Sequence, residues 1–241
     1  MKQINVKLFD ERWYEVEPNV FYPSVTHMLG QAYPKDDFLA KWRGDVGNEV
    51  AGKALKDGGK VGSYVHETIE TMILKGTTFK TADIVKEFDG DNTATIKVLK
   101  SLVSFVAFWE KYEPQVVECE YKVSSSELRL AGTVDGKYRL NIDDYKTVWG
   151  LDWKTSKAIH DINRVQLSLY KAMDEEIDQI AIVHLGNATK AGYSFLEVNQ
   201  EKGYYEQGVL ANNMFQAMYP NAKPSTNVFP ESFSISLIKS Q

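Results

Sequence analysis

Residues 114–155 read PQVVECEYKVSSSELRLAGTVDGKYRLNIDDYKTVWGLDWKT, and this stretch decides the fold. Its β-branched and aromatic residues fall into three runs, Val116 to Val123, Leu128 to Leu140 and Tyr145 to Thr155, which are expected as strands. Ser124-Ser125-Ser126 breaks the first pair of runs and Asn141-Ile142-Asp143-Asp144 the second, both with side chains that favour turns. Beyond them, Asp161 to Met173 carries helical periodicity, and Gln179 to Leu185 and Tyr193 to Val198 read as two more strands joined by Gly186-Asn187-Ala188-Thr189. A helix over Gln200 to Tyr219 closes the pattern, and the tail after Pro224 is expected to be irregular with a short strand. The order β-β-β-α-β-β implies an α/β protein whose central mixed sheet is flanked by helices.

Upstream, the chain reads as mainly helical. Ser24-Val25-Thr26 follows Pro23 as a helix start, and Asp36 to Arg43 and Gly47 to Leu55 are short candidates. Val61 to Leu74 is stronger, with Val61, Val65, Ile69 and Met72 in one apolar stripe. Asn92 to Tyr112 is the longest, with Ile96, Leu99, Val103, Val106 and Trp109 expected as its buried edge. No linker or repeat interrupts the chain, so residues 1–241 are expected to form a single domain: a helical part over 1–113, a β-rich core over 114–200, and a helix and tail over 200–241.

Composition narrows the function. Hydrophobic residues make up 43% and charged residues 25% of the 241, as in ordinary globular proteins. There is no apolar run long enough to span a bilayer, and the start, MKQINVKLFDERW, lacks the apolar core of a signal peptide, so a cytoplasmic location is expected. The single cysteine, Cys119, excludes an intrachain disulfide, an iron–sulfur cluster and a Cys-rich zinc site. A net charge of −5 argues against coating nucleic acid by bulk electrostatics, yet suits a site of clustered carboxylates that holds a cation.

Three D-x-K triplets occur: Asp135-Gly136-Lys137, Asp144-Tyr145-Lys146 and Asp152-Trp153-Lys154. Any one alone reads as an ion pair on a strand surface. Residues i and i+2 share a strand face, so Asp152 and Lys154 point together while Trp153 points to a packed layer. A carboxylate that holds a divalent cation beside a lysine that offsets transition-state charge suits phosphodiester hydrolysis. Gly132-Thr133-Val134-Asp135 offers a second carboxylate on the neighbouring strand, and Mg²⁺ needs only one or two. Asp144 falls in a polar turn, whereas Asp152 follows the strand-forming Val148-Trp149-Gly150-Leu151, so Asp152 is preferred. Gln166 and Tyr170 share a face of the following helix. On the upstream helix Gly62 leaves room for a close backbone or phosphate, and His66, to the side of the apolar stripe, offers an imidazole with Glu70 one turn on. A lone helix histidine or an amphipathic pair is as easily structural, so the weight rests on the ordered set.

That order, Gly62-x-x-x-His66, Gly132-x-x-Asp135, Asp152-x-Lys154, Gln166-x-x-x-Tyr170, resembles the RecB-like branch of the PD-(D/E)XK nucleases. The opening YPSVTHML with Lys41-Trp42 is also similar to that branch, which includes phage exonucleases and the mitochondrial genome maintenance exonuclease. The resemblance covers residues from about 22 to 173. It implies a restriction-endonuclease-like core, Mg²⁺ or Mn²⁺ bound through His66, Asp135 and Asp152, and Lys154 as the catalytic lysine. It also implies a glutamate on the first core strand; Glu120 is chosen, with Glu118 of the same parity left open. Gln166 and Tyr170 would support the site or bind the strand, and Gly62 and Lys157 complete the substrate-binding candidates. The expected activity is a metal-dependent DNA exonuclease of phage or bacterial recombination or repair. The expected partners are DNA, single-stranded or bearing an end, and a recombination protein such as a single-strand annealing protein. A structure-specific endonuclease of the same superfamily and a non-catalytic DNA-binding module are the alternatives.

Overall fold

The structure is a computed structural model that describes residues 1–6, 11–34 and 37–224. The β-rich core forms a five-stranded mixed sheet in the order β4-β5-β6-β7-β8, built from β4 (Gln115–Ser125), β5 (Leu130–Arg139), β6 (Val148–Lys154), β7 (Gln179–Leu185) and β8 (Tyr193–Glu197). Strands β6 and β7 run parallel, joined by the crossover helix α6 (Asp161–Met173), and every other pair is antiparallel. Parallel neighbours need such a crossover, and here it follows β6 directly.

Helices cover both faces. On one, α3 (Asn48–Lys75), α4 (Thr81–Glu87) and α5 (Asn92–Tyr112) bury Val61, Val65, Ile69, Val98, Phe105 and Phe108 against Tyr138, Leu151 and Trp153 of the sheet. On the other, α1 (Val25–Ala32), α6 and α7 (Tyr204–Met218) bury Val25, Leu29, Val165, Leu169 and Phe215 against Leu130, Val134, Ile180 and Ile182. Trp153 therefore does lie in a packed layer, with its ring edge-on to Phe105 and Phe108.

Several expectations need correction. The described residues up to Pro23 form a three-stranded antiparallel sheet, β1 (Lys2–Val6), β2 (Glu11–Glu17) and β3 (Val20–Pro23), not helix. Its cue is Arg12-Trp13-Tyr14-Glu15-Val16, an aromatic and β-branched run that favours strand. The two segments expected over 47–74 are one helix, because backbone hydrogen bonding continues through Gly58-Gly59 despite their low helix propensity. Helix α2 (Asp37–Val46) starts where expected within the described residues; Asp36 lies outside them. Helix α4 has no counterpart in the sequence reading.

The buried face of α5 is only partly the expected one. Leu99 and Trp109 pack against the core, with the Trp109 ring against Phe105 and Tyr138, but Ile96, Val103 and Val106 are exposed, at 51%, 69% and 38%, and Val98, Leu102, Phe105, Phe108 and Tyr112 are buried instead. The helix carries two apolar stripes, and the one richer in aromatic rings has more area to bury. Near the third strand, 145–147 belong to the turn rather than to β6, with Asp144 and Tyr145 at φ 58° and 62°. The last helix is split by Gly203, at φ 69°, into a single 3₁₀ turn over Gln200–Lys202 and α7. The expected tail strand lies outside the described residues. No helix among those described is long and apolar enough to cross a membrane.

Candidate metal centre

The site forms where β5 and β6 part. Their pairing runs from Arg139↔Val148 to Gly136↔Leu151 and stops there. Past that point the Asp135 carboxylate takes the ladder's place: its Oδ2 accepts from the Trp153 backbone N–H at 2.7 Å. Helix α3 brings His66 over this gap, with Nδ1 3.4 Å from Asp135 Oδ1. Strand β4 supplies Glu120, and one ligand atom from each of His66, Glu120 and Asp135 lies within 4.8 Å of the others.

Asp152 and Lys154 stand beside this group as a buried pair. Asp152 is 3% exposed, and Lys154 Nζ sits 2.8 Å from its Oδ1 and 2.7 Å from its Oδ2. Among the described residues Oδ2 has no well-directed hydrogen bond, and the nearby Lys154 ammonium compensates it electrostatically. Asp152 is thus turned to Lys154, and the ready-made ligand trio contains Glu120 in its place. This differs from the trio His66, Asp135 and Asp152 that the resemblance implies.

Protonation reflects the crowding. Burial opposes the charging of His66, but the Asp135 carboxylate outweighs it and pushes the imidazole up to about 9. Burial raises Glu120, and the negative charge of Asp135 raises it further. Burial likewise raises Asp152 against the pull of Lys154. Asp135 is opposed by burial yet held low by His66, Lys154 and the Trp153 N–H. Three carboxylates are thus met by one imidazole and the Lys154 ammonium, and the donor set of one nitrogen and several hard oxygens fits a divalent cation that would take the place of the imidazole proton.

Other expected residues sit around this centre. Tyr170 is 4% exposed, and its ring fills the space a Cβ on Gly132 would occupy. Gln166 Nε2 donates to the Tyr170 hydroxyl at 3.4 Å, and burial, then Tyr14 and the charges of Asp152 and Asp135, raise that phenol. Gly62 faces Thr155, with an ideal Cβ 3.5 Å from its Oγ1. Lys157 is exposed on the connection to α6, and the structure does not bring it into the cluster. Asp144 is on the surface, its side chain 89% exposed and 3.5 Å from Lys146. Lys137, of the remaining triplet, points away from the centre to Glu118, Asp174 and Glu176.

The sequence reading missed Tyr14. This buried phenol of β2 lies 2.9 Å from Thr133 Oγ1, and burial, then the charge of Glu120, raise it. Only its place in an alternating strand could have signalled it.

No family model matches the chain, and no curated protein does. Among solved structures, one described as "Crystal structure of SSO0001" aligns with 71% of this chain and 97% of its own at 10% identity and a TM-score of 0.32. So slight a likeness carries no assignment.

Proposed function

We propose that this protein is a Mg²⁺- or Mn²⁺-dependent deoxyribonuclease with a PD-(D/E)XK core of the RecB-like kind, acting as an exonuclease on DNA. The observation that carries the reading is the convergence of His66, Glu120 and Asp135 beside a buried Asp152–Lys154 pair at the point where two core strands part. When bound, the cation supplies Lewis acidity to the phosphate and its attacking water. The chain's own part is positional and electrostatic. His66, Glu120 and Asp135 would hold the ion, with the Asp152 carboxylate beside them in its pair with Lys154. Lys154 is fixed by Asp152 with its ammonium at the edge of the group, where it orients the nucleophile and offsets the charge that grows on the phosphate oxygens. Tyr170, braced by Gln166 and seated on Gly132, walls the site on the α6 side.

Two other readings share these residues. A structure-specific endonuclease would use the same chemistry on internal bonds. A non-catalytic DNA-binding module would have little use for a buried lysine paired to a buried aspartate. End-labelled linear and circular DNA, single- and double-stranded, incubated with and without Mg²⁺ separates the three. Shortening of linear DNA alone supports the exonuclease, cutting of circles supports the endonuclease, and binding without cutting supports the module. Cutting in excess EDTA would remove the metal mechanism. Recombination or repair is the proposed setting, with a single-strand annealing protein as the proposed partner.

A further inference from the structure

The triplet lysine left outside the metal centre has a peculiar setting. Lys137 is 3% exposed, rare for a lysine. Its Nζ lies 2.9 Å from Glu118 Oε2, 3.1 Å from Asp174 Oδ2 and 2.5 Å from Glu176 Oε2, and 5.0 Å from the centre of the Tyr121 ring. The Tyr121 hydroxyl donates to the same Asp174 oxygen at 2.6 Å. Asp174 caps the C-terminus of α6, so this knot ties β4 and β5 to that helix.

Its place along β4 matters. Glu118 and Glu120 are two residues apart, and a regular strand would put both carboxylates on one face. Here Glu118 reaches Lys137 on the α6 face, while Glu120 joins His66 of α3 on the other. The switch is made by Glu120 itself, whose φ of 48° lies in the left-handed region that disfavours a residue with a Cβ. Such a conformation persists only when its surroundings impose it. The knot grips Glu118 on one side and Tyr121 on the other.

We propose that Lys137 is a positioning residue for the metal centre, pinning β4 through Glu118 and Tyr121 so that the left-handed Glu120 presents its carboxylate to His66 and Asp135. This rests on the metal reading of those three residues. Removing a positive charge from the neighbourhood of a cation site should tighten cation binding by electrostatics alone, whereas loss of the pin should weaken it.

Mn²⁺ binding, followed by the loss of the free-ion electron paramagnetic resonance signal, reads this without DNA cleavage. Wild type, Lys137→Met, Glu120→Gln and the double variant are compared, with thermal melts to show that each folds. Lys137→Met should weaken Mn²⁺ binding by about 10- to 100-fold, the usual effect of removing a group that orients a ligand. The double variant should bind no more weakly than Glu120→Gln alone, because both changes remove one ligand. Wild-type affinity or tighter in Lys137→Met overturns the proposal, as does a double variant whose loss is the product of the two single losses. Should Lys137→Met fail to fold, Glu118→Gln removes one pin from a half-exposed side chain; weaker Mn²⁺ binding supports the pin and unchanged binding overturns it. A wild-type protein that binds no Mn²⁺ overturns the metal reading and the pin together, whereas binding that Glu120→Gln weakens but the Lys137 and Glu118 variants leave unchanged overturns the pin alone.

Discussion

Replacing Gly132 with alanine should be among the most damaging single-methyl changes in this protein. An ideal Cβ there would fall 2.3 Å from Tyr170 Cε1 and 2.9 Å from both Cζ and Oη. Carbon atoms in contact sit about 3.5–4.0 Å apart, so the overlap with the ring edge exceeds an ångström. The ring cannot swing into solvent, because Tyr170 is 4% exposed and belongs to the buried cluster that includes Val134, Val165 and Leu169. Overpacking of this kind costs about 1–3 kcal/mol, which for a domain of this size lowers Tm by about 2–12 °C. Gly62→Ala provides the contrast. Its Cβ would meet only Thr155 Oγ1, at an ordinary 3.5 Å, within the helix α3. Alanine is favoured over glycine inside a helix by about 0.5–1 kcal/mol, so Tm should hold or rise slightly. Thermal unfolding of the two variants beside wild type, by circular dichroism, is the assay. A Gly132→Ala protein that melts with wild type, or a Gly62→Ala protein that melts several degrees below it, would refute the packing described around Tyr170 and Thr155.

Two further predictions concern charge. Lys154→Ala should retain DNA binding but lose about 10²–10³-fold in kcat, as other losses of transition-state charge stabilisation do; unaltered turnover in a single-turnover assay would reduce Lys154 to an ion-pair partner of Asp152. Burial opposes ionisation of Asp174, but the Tyr121 hydroxyl and Lys137 ammonium outweigh it and hold its carboxyl below the usual range. With a folded pKa below the unfolded one, its contribution is complete above about pH 4 and is lost as pH falls through the folded value. Asp174→Asn should therefore lower Tm at pH 6 by more than at pH 3, and an equal deficit at both would show that the carboxylate charge is not what Lys137 and Tyr121 recognise.

Much of this architecture is written locally in the chain. Helix α6 and strand β7 begin and end at the residues that their periodicity marks, because an amphipathic helix and a short apolar strand each declare themselves within one window. That Asp144 lies in an exposed turn and Asp152 on a buried strand was legible for the same reason: the adjacent Asp143-Asp144 cannot continue a buried strand, whereas Val148-Trp149-Gly150-Leu151 can. What escaped depends on contacts between distant segments. Helix α5 carries two apolar stripes, and only the sheet decides which is buried. Glu118 and Glu120 share parity, and only the left-handed backbone at Glu120 sends them to opposite faces. The Asp135 carboxylate standing in for a ladder hydrogen bond at Trp153 has no signature in spacing at all. Tyr14 reaches the site from a small sheet more than a hundred residues earlier in the chain.

In the proposed nuclease the buried aspartate of β6, beside Lys154 and the His66–Glu120–Asp135 group, belongs to the DNA-cleaving metal centre, whereas the exposed aspartate eight residues earlier does not. Asp144 is a turn residue with its side chain 89% exposed, 3.5 Å from Lys146, while Asp152 is 3% exposed and ion-paired to Lys154. Cleavage of one end-labelled DNA in Mg²⁺ by Asp144→Ala and Asp152→Ala, side by side with wild type, tests it most directly. Asp144→Ala should cut at the wild-type rate and Asp152→Ala should not cut. An active Asp152→Ala enzyme, or an Asp144→Ala enzyme that is dead though folded, would contradict the account and move the chemistry away from the end of β6.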